Sequence, residues 1–440
     1  MAETQPNSEG FRMSRVWRLG KYASWYAADQ FLTLGVTRLV LFPILAAFLG
    51  DAKFGGFVLA LGLAQMVGNA PSNGLAGYIL RDAAHQSERD QHLMMRTMLV
   101  LAALGVLPFV LVLALGAPAI ASIYGQETFR LLLPCFGVFL LFQNLTETCL
   151  AIHRVRRNFH VTALVHGLQT LLLFGAIPLS LAGGTVGAGY AYVLASAGTF
   201  GVLFYGHRQG YIQRPVFSGR FAKSAVVVWW PLSLSAFVFL SSRYLDRPLL
   251  GFWWPPQAVT AFFAAVSTSA IFAMPGSLIS GLVLSLLGKI RSRDAFSRSF
   301  HLRYAAGVWL FVAMLFAMGA PLGQTILGIL YPGALERAAP LWGFAVGAAA
   351  LQNAVTLCRP FIVKFLSPRL IPVLAVISVV ARVVPLLVLV PTGGERGAAV
   401  ALLIGSSVMA VAWFLTYALA FILHRPGTPV ESRGECEPVS

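Results

Sequence analysis

Charged side chains inside long apolar segments are the residues of this chain with the clearest chemical potential. Arg243, Asp246 and Arg247 follow a run of apolar residues in the segment Ala225–Leu250. On a helix, Arg243 shares one face with the other two, which lie three and four positions further on. Two guanidinium groups around one carboxylate leave an unpaired positive charge, which predicts a binding site for an anionic substrate. The alternative is a structural ion pair at the outer membrane interface, with long side chains that reach water.

Arg38 lies in the middle of the first apolar segment. A charge in that position is costly, so it is expected either to bind a ligand or to pair with another residue. The acids available for such a pair are Asp29 and Glu147. We predict that Arg38 binds substrate together with the cluster described above. Arg382, in a later segment, is expected to be a structural partner of a neighbouring helix.

Two acids in the first half of the chain are candidates for binding a coupling ion. Glu147 lies near the end of the fourth apolar segment and could bind a proton or stabilise the adjacent His153–Arg154 pair. Asp29 lies one turn inside the first segment and is either a second coupling acid or simply solvated. His166 and Gln169 are expected to be satisfied polar residues between helices.

The sequence contains no motif for nucleotide binding, metal binding or nucleophilic catalysis. There is no Walker motif, no cluster with metal-ligand spacing and no constellation around a nucleophile. The four cysteines do not form a disulfide framework. We therefore predict no catalytic residue, no metal and no cofactor, and hence a protein that is not an enzyme.

The composition is that of a polytopic membrane protein. Hydrophobic residues make up 58% of the chain and charged residues 11%, whereas a soluble domain carries roughly 25% charged residues. The net charge of +16 would indicate a nucleic-acid partner in a soluble protein. Here the basic residues lie mostly in alternate loops, which indicates membrane topology instead, and no nucleic-acid partner is expected.

Twelve apolar segments are long enough to cross a bilayer as helices, so the predicted fold is all-α. They are approximately Ala23–Leu49, Phe57–Ile79, Met98–Ile120, Leu131–Ile152, Val161–Leu181, Val186–Tyr205, Ala225–Leu250, Ala258–Leu287, Tyr304–Ala320, Ala339–Phe361, Leu370–Val390 and Ala398–Leu423. With the N-terminus in the cytoplasm, most of the 32 Lys and Arg residues lie in cytoplasmic segments. This bias predicts twelve spans with both termini in the cytoplasm.

The segments divide the chain into two halves that resemble each other. Four pairs of features recur in the same order and at a nearly constant separation: Arg38 and Arg243, Pro71 and Pro275, Gln143–Cys149 and Gln352–Cys358, and Ala182–Ala188 and Thr392–Ala398. Six spans per half make the halves parallel repeats. The predicted organisation is a basic N-terminal segment (1–22), an N-lobe (23–207), a cytoplasmic linker (208–223), a C-lobe (224–424) and a disordered tail (425–440).

These features resemble a known family. The stretch FLTLGVTRLVLFPILAAFLGDAKFGGFVLALGLAQM and the following GLAGYILRD look like the opening of polysaccharide flippases. Asp246 in SSRYLDRPLLGFWWPPQAVTAFFAA resembles an Asp of that family, and Gly187 and Gly397 match its recurrent glycine after a short turn. The family comprises the polysaccharide transporters and O-antigen flippase-like proteins of the multidrug, oligosaccharidyl-lipid and polysaccharide exporter superfamily.

The resemblance implies two six-helix lobes around a central cavity. It also implies a flippase that moves a lipid-linked oligosaccharide or polysaccharide precursor across the bacterial inner membrane by alternating access. The expected partners are the lipid-linked anionic glycan and membrane lipids, with a polysaccharide polymerase or glycosyltransferases as candidate protein partners.

Three alternatives remain. A drug or cation antiporter of the same superfamily needs an acidic cavity, whereas these spans are mainly basic. A membrane enzyme such as a polysaccharide polymerase usually has a sizeable outer loop, which this chain lacks. The third is a membrane scaffold for cell-envelope polysaccharide synthesis that transports nothing.

Overall fold

Apolar segments in a bilayer must pair every backbone polar group internally, because the hydrocarbon core holds no water, and they therefore form helices. The computed structural model describes residues 24–25, 27–68, 70–83, 86–156, 158–206, 217–287, 296–366 and 370–423. Within these ranges the regular structure is helical, without strands. The predicted N-terminal segment (1–22), the tail (425–440) and most of the linker (208–223) lie outside the described residues, and residues 219–223 of that linker form the start of a helix.

In the described part of the chain, twelve helical segments follow one another and agree with the predicted fold class. They are α1 (Ala27–Leu49), α2 (Asp51–Gly68 and Ala70–Asp82), α3 (Glu88–Tyr124), α4 (Phe129–Val155), α5 (159–182), α6 (185–206), α7 (Gly219–Tyr244 and Asp246–Trp253), α8 (Pro256–Ser269 to Met274–Leu287), α9 (Arg298–Leu330), α10 (Pro332–Phe365), α11 (370–393) and α12 (395–421). Among the described residues, eight continuous helical stretches are long and apolar enough to cross a membrane, and one of them contains both α11 and α12.

Several helices extend beyond the predicted apolar segments. α9 runs from Arg298 to Leu330, whereas the sequence predicted Tyr304–Ala320, and α3 begins at Glu88 rather than at Met98. Hydropathy marks only the part of a helix that suits hydrocarbon, while the helix itself continues into polar sequence. At the start of α3, for example, the Ser87 side chain accepts a hydrogen bond from the Asp90 amide and caps the polar first turn.

α1 has an irregular backbone that the sequence did not predict. Residues Phe31–Leu41 form a π-helix, and regular α-helix resumes at Phe42. π-Helical turns are rare and are frequently found at functional sites. This segment contains Arg38, so the predicted ligand-binding residue lies within the π-helical part of α1.

The two halves share the same turns. Gly184 (φ 58°, ψ −139°) separates α5 from α6, and Gly394 (φ 53°, ψ −136°) separates α11 from α12. Positive φ is costly for a residue with a Cβ atom, which explains the glycine at each turn. Three residues further on, a Cβ at Gly187 or Gly397 would lie 1.9 or 2.0 Å from the Leu179 or Leu389 carbonyl oxygen. Both halves therefore depend on glycines at corresponding places, as the sequence repeat predicted.

An asparagine is inserted into the second helix of each half. The Asn144 amide donates to the Gly68 carbonyl at 2.8 Å and accepts from the Ser72 amide at 2.9 Å, so it replaces one backbone hydrogen bond of α2. Asn353 does the same in α8, between the Phe272 carbonyl and the Gly276 amide. Both insertions surround a proline, Pro71 or Pro275, which itself cannot donate to the helix ladder.

α2 lies between the lobes. Its first half packs against α8, where the Thr260 hydroxyl donates to the Asp51 carbonyl at 2.6 Å. Its second half packs against α7, where the Trp229 indole donates to the Pro71 carbonyl at 3.1 Å. The two lobes thus contact each other near both ends of α2, and the charged residues lie in the region between these two contacts.

Candidate functional site

A cavity of about 130 Å³ lies where α1 meets the C-lobe helices α7, α8, α10, α11 and α12. Four arginines and a single aspartate line it, together with small or neutral residues such as Ser269, Gln352 and Ser406. The charged residues are Arg38, Arg243, Arg247, Arg382 and Asp246. If all five are ionised, the lining has three positive charges in excess.

Asp246 forms an ion pair with Arg382 rather than with the arginines next to it in the sequence. The Arg382 guanidinium lies 2.9 Å from the Asp246 carboxylate and also donates to the Arg243 carbonyl oxygen at 3.3 Å. The other carboxylate oxygen of Asp246 accepts from the Arg247 amide at 2.9 Å. Arg382 is therefore the structural partner of a neighbouring helix, as expected. Its pairing with Asp246 neutralises the carboxylate that we had expected Arg243 and Arg247 to share.

The guanidinium groups of Arg38, Arg243 and Arg247 make no hydrogen bond or salt bridge with any residue that the structure describes. That of Arg247 lies 4.8 Å from the ring centre of Phe263 and 5.5 Å from that of Tyr244. Cation–π contacts of this kind stabilise the charge but leave the N–H donors available. A Cβ at Gly62 would lie 3.2 Å from Cδ of Arg247, so a glycine of α2 makes room for the stem of this side chain.

Arg243 and Arg247 do not lie at the end of α7, which continues to Trp253. The cavity that they line is shared with Arg38, Gln352 and Arg382, which lie near the middle of their own helices. The ion pair of this cluster is formed by Asp246 with Arg382, while Arg243 is exposed; the placement of the cluster relative to the outer interface stays a prediction.

A second charged group connects α1, α4 and α5. His166 Nδ1 lies 2.5 Å from the Asp29 carboxylate, and Nε2 lies 3.0 Å from the Glu147 carboxylate. The other Glu147 oxygen accepts from Arg154 at 2.9 Å. Because Asp29 is only 5% exposed, the expectation that it is simply solvated is wrong. Neither acid pairs with Arg38, so the alternative of a structural ion pair for Arg38 is wrong as well.

His166 was missed as a member of this group because it was read only as a satisfied polar residue. It is indeed satisfied, but by two carboxylates at once. Gln352 was also missed as a cavity residue, although the repeat pairs it with Gln143. That correspondence is the signal that could have revealed it, since each of the two glutamines lines a cavity.

Comparison with known proteins gives structural relatives. No protein-family model matches the sequence, and no curated protein matches it either. The lipid II flippase MurJ in an inward closed conformation is similar in structure, with a TM-score of 0.70 and 12% identity over 91% of this chain and 90% of that chain.

An inward-facing MATE multidrug resistance transporter of the MOP superfamily has a TM-score of 0.66 and 17% identity, over 91% of this chain and 94% of that chain. A superfamily transporter from Pyrococcus furiosus, described as having a binding pocket of reversed polarity, has a TM-score of 0.57 and 16% identity, over 92% and 93%. At such identities the likeness concerns the fold. The chain is a multi-pass membrane protein that shares the fold of these solved transporters.

Proposed function

We propose that this protein is a flippase that moves a lipid-linked anionic oligosaccharide or polysaccharide precursor across a bacterial inner membrane. The observation that carries the proposal is the set of three arginines, Arg38, Arg243 and Arg247, that face one cavity between the lobes without an acidic partner among the described residues. Charges inside a membrane protein are costly and mark ligand pathways. A phosphate group bound there would satisfy them.

Arginine suits this ligand because its planar guanidinium donates paired hydrogen bonds to phosphate oxygens. Arg38 comes from the N-lobe, while the other two come from the C-lobe. A phosphate bound between them would connect the lobes, and its release would let the lobes separate on one side. The lipid tail stays in the bilayer throughout, so only the head group needs the cavity.

The coupling group in this proposal is the buried set of Asp29, Glu147 and His166, which can gain or lose a proton as transport proceeds. Both termini lie in the cytoplasm, as the loop charges indicate. Glycosyltransferases or a polysaccharide polymerase would supply or consume the lipid-linked glycan and are the proposed protein partners.

The MATE-like fold raises a second candidate, a drug or cation antiporter. A cation would meet three unpaired guanidinium groups in this cavity, so the charge opposes that function. A scaffold that transports nothing would have no need for unpaired charges in a cavity between lobes. Lower accumulation of cationic dyes in cells that overexpress the protein would favour the antiporter over the flippase.

The experiment is complementation of a glycan-export null strain with Arg38→Ala, Arg38→Lys and Arg243→Ala at matched expression. Each charged hydrogen bond to the phosphate contributes about 1.5–3 kcal/mol, and about 1.4 kcal/mol is tenfold in affinity. We expect each Ala variant to need about tenfold more substrate for export. Arg38→Lys should restore export in part, because lysine keeps the positive charge but cannot donate two parallel hydrogen bonds to the phosphate.

The matched control is Arg130→Ala, which removes an exposed arginine paired with Glu127 outside the cavity. It should export normally. Normal export by both Arg38→Ala and Arg243→Ala would reject the phosphate site.

A further inference from the structure

A second cavity, of about 240 Å³, adjoins the arginine-lined one on the N-lobe side. It lies among α1, α2, α4, α5 and α6, and is completed by residues of α7 and α8. Arg38, Tyr244 and Arg247 line both cavities, so the two form adjacent chambers with a shared wall. We call them the cationic chamber and the neutral chamber.

The neutral chamber has a different chemistry from its neighbour. Among the described residues, no Asp or Glu lines it, and the charged lining residues are the two arginines of the shared wall. The other polar residues of the described lining carry hydroxyl or amide side chains: Thr33, Thr37, Gln65, Gln143, Gln169, Thr170, Tyr192 and Tyr244. Aromatic rings, including those of Phe139 and Phe263, line it as well.

Some of these polar groups are already satisfied within the protein. Gln169 donates to Gln143 at 2.5 Å, and the Thr33 hydroxyl donates to the Asp29 carbonyl oxygen. In contrast, the side chains of Thr37, Gln65 and Tyr192 have no hydrogen-bond partner among the residues that the structure describes. These three line the chamber from α1, α2 and α6.

Tyr192 is the most informative of the three. It is 3% exposed, and its hydroxyl is buried without a partner in the described part of the chain. Its ring packs edge-on against Phe57, Phe136 and Phe139, at centroid distances of 5.3 to 5.8 Å. A phenylalanine would make the same ring contacts without the cost of an unsatisfied buried hydroxyl. A ligand in the chamber that bonds to this hydroxyl would remove that cost.

We infer that the neutral chamber binds an uncharged sugar of the same substrate whose phosphate lies on the arginines of the shared wall; this rests on the proposed function. Sugar hydroxyls both donate and accept hydrogen bonds, as do glutamine amides and the hydroxyls of threonine and tyrosine. Apolar walls with a few fixed polar groups are typical of small-molecule sites. The absence of acidic residues from the lining leaves a neutral sugar next to phosphate as the matching ligand class.

The test compares two probes on the purified full-length protein in lipid nanodiscs. One probe is farnesyl diphosphate, and the other is farnesyl diphosphate linked to a single glucose. Binding of each is measured by calorimetry for the wild type, Tyr192→Phe and Gln65→Leu. Tyr190→Phe is the matched control, because it makes the same change on the same helix at a residue that is 50% exposed.

The wild type should bind the glucose-bearing probe more tightly than the sugar-free one. Tyr192→Phe and Gln65→Leu should each weaken binding of the glucose-bearing probe by roughly two- to tenfold, the range for one hydrogen bond. Neither should change binding of the sugar-free probe, and Tyr190→Phe should change neither. Tyr192→Phe should also unfold at the same or a higher temperature, since it removes an unsatisfied hydroxyl.

Equal affinity of the wild type for both probes would overturn the sugar chamber and leave the phosphate site intact. Equal losses on both probes in Tyr192→Phe and Gln65→Leu would also overturn it, because the effect would then not depend on the sugar. Failure of the wild type to bind either probe would instead reject the proposed function, and the chamber with it.

Discussion

Arg38 and Arg382 are the same residue type in one cavity, but their surroundings differ. Arg382 lies 2.9 Å from the Asp246 carboxylate, whose side chain is 4% exposed. Arg38 has no acidic partner among the described residues. A buried ion pair is strongly destabilised when one partner is removed, because the other charge is left uncompensated. The removal of an arginine that already lacks a partner has no such cost.

Arg382→Met should therefore destabilise the protein by about 3–5 kcal/mol, whereas Arg38→Met should leave stability unchanged or raise it. Thermal unfolding in detergent measures the difference. Arg382→Met combined with Asp246→Asn should recover most of the loss, since the uncompensated carboxylate is gone. A single Arg382→Met variant as stable as the wild type would move Arg382 from the structural pair to the ligand site.

Glu147 is held by His166 on one oxygen and by Arg154 on the other, and Asp29 holds the far side of the histidine. A change of protonation at any of these groups alters the charge balance of the whole set. Glu147→Gln should therefore weaken the pH dependence of transport while membrane insertion is retained. Transport measured at several pH values in proteoliposomes checks this prediction.

The control for this measurement is Glu127→Gln, which changes an acid whose side chain is 76% exposed. It should have the pH dependence of the wild type. If Glu147→Gln also has that pH dependence, Glu147 is a structural partner of Arg154 and takes no part in coupling.

At the level of the elements, the inserted asparagines determine the shape of α2 and α8. Asn144 occupies the place where the Gly68 carbonyl and the Ser72 amide would otherwise bond to each other. An apolar residue there would leave both backbone groups buried without a partner, unless α2 straightened. Pro71 opposes such straightening, because its ring clashes with the carbonyl four residues earlier.

Asn144→Leu should thus destabilise the protein by about 1–3 kcal/mol for each unsatisfied group. Pro71→Ala added to Asn144→Leu should recover part of this loss, because α2 can then close its own hydrogen bonds. Unfolding temperatures of the single and double variants form a double-mutant cycle. Additive effects in that cycle would mean that the proline and the asparagine do not act together.

At the level of the whole molecule, α2 contacts the C-lobe at two glycines. A Cβ at Gly55 would lie 1.9 Å from the Pro256 carbonyl oxygen, and a Cβ at Gly74 would lie 2.1 Å from the Ser233 hydroxyl. Neither contact can accept a larger residue without a shift. If the lobes alternate, each substitution should favour the state in which its own contact is open.

Gly74→Ala should increase labelling of a cysteine at position 37 by an impermeant maleimide from the cytoplasm, and Gly55→Ala should increase it from the opposite side. The native cysteines are replaced first. Gly201→Ala is the control, since a Cβ there meets no atom within 4 Å. Equal labelling of all three variants from both sides would exclude alternation at these contacts.

The predicted topology has its own test. Reporter fusions after Arg89, Arg156, Arg214, Arg293 and Lys364 should all report a cytoplasmic location, because the distribution of basic residues in the sequence predicts the cytoplasmic side for these positions. One fusion that reports the opposite side would contradict the arrangement of twelve spans with both ends in the cytoplasm.

Much of the fold was determined by the sequence itself. Apolar length specified helices that cross a bilayer, since no other structure satisfies the backbone there. The repeat predicted the two lobes, and the glycine turns at Gly184 and Gly394 confirm it in detail. Arg38 and Arg243 were singled out because charges are rare inside such segments, and they do line one cavity.

The choice of partners was decided only by the tertiary structure. Asp246 pairs with Arg382, far away in sequence, rather than with Arg243 or Arg247 nearby. Hydropathy and spacing locate a residue along a helix, but the rotation and neighbours of that helix depend on packing between many side chains. For the same reason, the role of His166 between two acids and the neutral chamber beside the arginines emerge only when the helices are brought together.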